Sequence, residues 1–77
     1  LEKRSVTLAG HRTSVSLEAD FWSALEEMCA ARTLSLSALI REVDDQRGDA
    51  NLSSALRLAA LAWYRHPART GSATPSD

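Results

Sequence analysis

His11, Cys29 and His66 are the side chains with the strongest claim to metal ligation or to paired nucleophile-and-base chemistry. Metal sites gather such ligands at short, recognisable spacings, and these three stand singly along the chain. A lone cysteine forms no internal disulfide, and at helical spacing beside an apolar stripe Cys29 reads as a small buried hydrophobe. Asp44 and Asp45 are sequence neighbours near a helix end, so they point in different directions and make poor general acid–base partners. No Gly-rich phosphate loop or nucleophile elbow is present. The expectation is a protein that is not an enzyme and has no cofactor or metal.

Size and charge narrow the classes further. The 77 residues, 44% hydrophobic, bound the chain to one small domain. Small cores are marginal, and disulfides, metals or oligomerisation usually help them. With the first two excluded, oligomerisation is the expected aid. A net charge of -1 excludes a globally basic nucleic-acid binder, but the charges are segregated. Residues 1–17 carry Lys3, Arg4 and Arg12 against Glu2. Residues 18–50 hold eight acids against three arginines, and the remainder is basic again through Arg57, Arg65 and Arg69. No apolar run approaches the roughly 18 residues of a membrane span, and no signal-peptide pattern opens the chain. A cytoplasmic protein without membrane contact is expected.

These charges must be carried by elements that the hydrophobic rhythm reveals. From Thr13 to Leu17 the chain alternates, with Thr13, Val15 and Leu17 on one face and Arg12, Ser14 and Ser16 on the other. A period of two marks a half-buried strand. The stretch "KRSVTLA" also alternates, with Val6 and Leu8 as its apolar pair. Gly10 can turn the chain between the two stretches or mark a bulge in one longer strand.

A helix begins near Ala19, where Phe21, Leu25 and Met28 form a stripe flanked by Trp22 and Cys29, and fades around Thr33. Ser35 is a good N-cap for a second helix, whose face is Leu36, Leu39, Ile40 and Val43, with Gly48 as its stop. Asn51 caps a third helix to about Arg65, with the stripe Leu52, Ala55, Leu56, Ala59 and Trp63. Leu58 and Leu61 lie on its other side, a second contact surface for a symmetry mate, another dimer or a different protein. Domain and tail divide as 1–65 and 66–77, the tail having the composition of a mobile segment.

One ribbon strand followed by amphipathic helices lacks a neighbour, and an isolated hairpin is marginal in water. Pairing the strand with its copy in a second chain satisfies the backbone and closes a shared core of Val15, Leu17, Phe21, Leu25, Leu39, Ile40 and Val43. The expectation is an obligate homodimer, or a tetramer of two dimers.

The ordered string "RTSVSL", "ADFWSALEEMCAAR", "TLS" and "LSALIREVDDQR" resembles the ribbon-helix-helix family of Arc/MetJ-type repressors. Over residues 3–65, "KRSVTLAGHRTSVSLEADFW", "LSALIREVD" and "NLSSALRLAALAWYR" resemble a group of short bacterial members of that family. The fold class implied is mainly α with one short β-ribbon, a ribbon-helix-helix with an additional C-terminal helix, its strand paired across a homodimer. The function implied is a transcriptional regulator whose antiparallel ribbon enters the major groove of double-stranded DNA.

Carried onto this chain, the resemblance places base contacts at Arg12, Ser14 and Ser16, and a phosphate contact at Ser35 with the amides of Leu36 and Ser37. Lys3 and Arg4 add phosphate contacts if residues 3–9 extend the ribbon; those residues can instead fold over the reading face. Arg12 is the member of the base-contacting set suited to a bidentate bond with guanine. The alternative function is a protein-interaction or antitoxin-like module that uses the third helix to hold a protein partner.

Overall fold

The computed structural model describes residues 1–66, so the proposed tail, apart from His66, lies outside the described residues. Two strands, β1 (Glu2–Leu8) and β2 (His11–Leu17), are followed by α1 (Ala19–Arg32), α2 (Leu36–Gln46) and α3 (Leu52–Arg65). β1 and β2 pair antiparallel, from Glu2 opposite Leu17 to Leu8 opposite His11.

Of the two roles open to Gly10, the structure takes the turn. Ala9 (φ 50°) and Gly10 (φ 83°) both adopt positive φ, the signature of the type I′ turn whose twist matches that of the strands it joins. Within the chain β2 has β1 as a partner along one edge. A two-residue loop brings that partner alongside at little cost in chain entropy. Ala9 is the strained member, since a left-handed conformation costs an ordinary L-residue roughly 1–2 kcal/mol. Ala9→Asn, which creates the favoured Asn-Gly turn, should raise stability by up to about 1 kcal/mol in urea unfolding. An unchanged midpoint would mean that the turn holds no strain to relieve.

Inward-facing Val6, Val15 and Leu17 cover a core built from Trp22, Ala24, Leu25, Met28 and Cys29 of α1, Leu39, Ile40 and Val43 of α2, and Leu56 and Ala60 of α3. β1 lies against α2 and β2 against α3. Val15, Leu17, Leu25, Leu39, Ile40 and Val43, the set expected at the dimer core, are all buried within one chain. Phe21, expected among them, is half-buried, with the Arg57 guanidinium 5.9 Å from its ring centroid.

Trp22 is central rather than flanking. It is 1% exposed, and its indole Nε1–H donates to the carbonyl of Glu2 at 2.8 Å, which satisfies the one polar atom of a buried ring. α1 ends where Thr33 turns left-handed (φ 56°) and its N–H donates to the Cys29 carbonyl. Ser35 and Asn51 cap α2 and α3 as expected, accepting from the backbone N–H of Ala38 at 3.0 Å and of Ser54 at 3.1 Å.

Candidate nucleic-acid interface

The hairpin register turns strand alternation into a two-strand surface. With Val6, Val15 and Leu17 facing the helices, the opposite face carries Lys3 opposite Ser16, Ser5 opposite Ser14, and Thr7 opposite Arg12. Arg12, Ser14 and Ser16 thus share the outward face, and Lys3 joins them. Ser16 is half-buried and the other five are exposed. Among the described residues no carboxylate stands on this face. At about 3.3 Å per residue, Lys3 and the Arg12 row are separated by roughly 13 Å along the ribbon. Residues 3–9 extend the ribbon edgewise and leave its outward face uncovered.

Arg4 separates from Lys3. Neighbouring strand residues point to opposite sides, and Arg4 lies on the helix side, its guanidinium 4.6 Å from the Trp22 ring centroid. It pairs with Glu2 at 2.7 Å and Glu26 at 2.8 Å. The hydrogen bond that the guanidinium donates to Glu26, then that to Glu2, holds it more firmly protonated than usual. Its place is a clamp between β1 and α1.

Ion pairing sorts the remaining cations. Arg32 grips Glu42 through two bonds at 2.9 and 3.0 Å, Arg47 meets Asp44 at 2.6 Å, and Arg57 meets Glu18 at 2.9 Å. The Glu42 carboxyl is held below its ordinary range by Arg32. That of Glu18 is lowered first by its own backbone amide and then by Arg57. Among the described residues, Lys3 and Arg12 enter no ion pair, nor do Arg41 and Arg65 on the helices. The acids that make the chain net negative are thus engaged in part by arginines away from the ribbon face, and its two cations stay available to an outside anion.

At the start of α2, the Ser35 hydroxyl is occupied by the Ala38 N–H. The amides of Leu36 and Ser37 have no acceptor among the described residues, and the first turn holds no acid. Free N–H groups at the positive end of a helix dipole suit an anion. Ser35→Ala should lower stability by about 0.5–2 kcal/mol through loss of the cap, while leaving both amides in place. Thermal melts run beside affinity measurements separate the cap from any anion contact.

The other candidates disperse. His11 is exposed beside the turn, and His66 closes α3 through its backbone. Cys29 is buried, and desolvation pushes its thiol pKa up, away from the thiolate that reactivity needs. Among the described residues no three His, Cys, Asp or Glu side chains gather as a metal site, and no helix is long and apolar enough to cross a membrane.

On α3, Leu58 is 63% and Leu61 51% exposed, as their phase suggested, and Tyr64, overlooked in the sequence, is exposed beside them. Tyr64 donates its hydroxyl to the Glu27 carboxylate. Ser5 and Thr7 are the outward ribbon residues that sequence reasoning missed. The signal was the alternation around Val6 and Leu8, which sets their parity, but only the turn aligns them with Ser14 and Arg12.

The family model described as a ribbon-helix-helix domain matches residues 1–64. Comparisons with curated proteins and with solved structures return no match.

Proposed function

The chain belongs to the ribbon-helix-helix family, and from that premise we propose a DNA-binding transcriptional regulator of the bacterial cytoplasm. It acts as a homodimer and lays its antiparallel ribbon in the major groove. Arg12, Ser14 and Ser16 face base edges, while Lys3 and the α2 N-terminus at Ser35, Leu36 and Ser37 hold phosphates. The observation that carries the reading is a ribbon face that, among the described residues, has no acid and leaves Lys3 and Arg12 without an ion pair, in a chain of net charge -1. The major groove, about 12 Å wide, admits a two-stranded ribbon. An arginine there can bond both O6 and N7 of guanine, and serine hydroxyls can donate or accept.

The test is selection from random duplexes at several salt concentrations. An enriched sequence, whose affinity falls with salt according to the phosphates neutralised, is the expected result. No enrichment even at low salt would overturn the reading.

A second reading, a protein-interaction or antitoxin-like module, draws support from Leu58 and Leu61 on the solvent side of α3. Under it, Leu58→Glu with Leu61→Glu abolishes partner capture or changes the assembly state while the ribbon keeps its properties. An unchanged mass and unchanged binding would leave those leucines as ordinary exposed apolar residues.

A further inference from the structure

We propose that the outer face of α3 is a self-association surface. Leu58, Leu61 and Tyr64 pack there against the same residues of a second copy, α3 antiparallel to α3, with Arg65 of each copy meeting Asp20 of the other. The inference goes beyond both readings above. It assigns to a second copy of this chain the leucines that the second reading offers to a foreign protein.

Exposed leucines are ordinary when scattered, and these are gathered. Among the described residues the large apolar side chains left exposed are Leu1, Leu58, Leu61 and Tyr64, so α3 holds all but one of them. Ser54, Leu58, Leu61 and Arg65 are exposed at i, i+4, i+7 and i+11, which is one stripe along a helix. Leu56 and Ala60 on the inner side are buried in the core. A groove with a mostly apolar lining flanks the stripe on each side. Phe21, Ala24 and Ala60 line the one between α1 and α3, and Val43, Ala55 and Ala59 the one between α2 and α3. A leucine ridge between two grooves is the relief that helix packing uses, with axes about 8–10 Å apart.

Charge selects the occupant. α1 and α3 lie side by side and run the same way: Arg57 meets Glu18 at 2.9 Å, and further along both helices the Tyr64 hydroxyl meets Glu27. Asp20 therefore stands near the level of Arg57, lining the α1–α3 groove with Leu61 and Tyr64, while Arg65 closes the other end of the stripe. Among the described residues neither Asp20 nor Arg65 enters an ion pair. The face thus has an uncompensated acid towards one end, leucines in the middle and an uncompensated cation at the other end. A two-fold axis through Leu61 lays residue 65 of one α3 across residue 57 of the other, beside Asp20, and symmetry makes the contact twice. A parallel alignment would set like charges together. The antiparallel pair uses no residue of β1 or β2, so it adds to the ribbon homodimer proposed above and doubles its mass.

The test is sedimentation over a concentration series, comparing wild type with the Leu58→Glu, Leu61→Glu double variant. Wild type should reach twice the mass of the variant, whose core residues are untouched. Equal masses at every concentration would overturn the proposal. A ratio of two in which the variant is a single chain would support this contact and overturn the ribbon homodimer instead. No DNA enters the measurement, so a failure of duplex binding does not bear on it.

Charge reversal leaves the leucines in place. Asp20→Arg and Arg65→Asp alone should each weaken the higher assembly by about two- to fivefold, the range of an exposed ion pair. Together they should restore it to within about twofold, because the reversed pair can form again between copies. Losses that add in the double reversal would show that the two residues do not meet, and would overturn the antiparallel arrangement.

Discussion

Leu56→Ala should leave a large fraction of the protein unfolded at room temperature. Leu56 is fully buried in α3, packed into the core that also holds Leu17, Leu25 and Ile40. Truncating a buried leucine removes its transfer free energy and leaves a cavity, together costing about 2–5 kcal/mol. Native domains have roughly 0.05–0.15 kcal/mol of stability per residue, which for a domain this small is of the same order as that loss. Urea unfolding followed by far-UV circular dichroism and by tryptophan fluorescence measures it, Trp22 being the buried reporter. A loss well under 1 kcal/mol would mean that α3 is an appendage rather than part of the core. A protein that folds only by assembly has a thermal midpoint that rises with its concentration. For the homodimer proposed here the midpoint should rise over a hundredfold range; a constant midpoint would mean that each chain folds alone.

Arg12→Ala should relax sequence preference as well as weaken binding. Losing a good bidentate contact to guanine costs about 1–3 kcal/mol of discrimination, between about fivefold and more than a hundredfold in relative affinity. Lys3→Ala, if Lys3 only meets phosphate, should weaken all duplexes alike and flatten the salt dependence by about one charge. Competition titrations of selected against scrambled duplex, at two salt concentrations, distinguish the two outcomes. If Arg12→Ala weakens both duplexes equally, Arg12 holds the backbone and reads no base. Arg4→Ala serves as a contrast. It removes a cation from the same strand, yet its effect should appear in stability, through the lost Glu26 pair and Trp22 stacking, and leave sequence preference unchanged.

Much of this was legible in the residues because side-chain direction follows from backbone period. A period of two puts Arg12, Ser14 and Ser16 together, and a period of 3.6 gathers Leu39, Ile40 and Val43. Ser35 and Asn51 declare their helices because a short side-chain oxygen can reach a free amide two or three residues on. Leu58 and Leu61 were likewise separated by phase alone from the stripe that packs inward.

Other features depended on what the elements meet in space. Strand edges are backbone, so nothing in "RTSVSL" states which strand pairs with it; the left-handed turn decided that, and Ala9 is a residue type that does not advertise one. α1 buries Trp22, Ala24, Leu25, Met28 and Cys29, a set too broad for a single stripe. It packs against both α2 and α3, so its centre could not be located from one face. Lys3 and Arg4 look interchangeable in sequence, and the fold sends one to solvent and the other onto Trp22. Which surface covers the core was also a tertiary matter, since apolar periodicity records which residues seek burial and says nothing of what buries them. Within the chain β1 and α3 supply part of that cover.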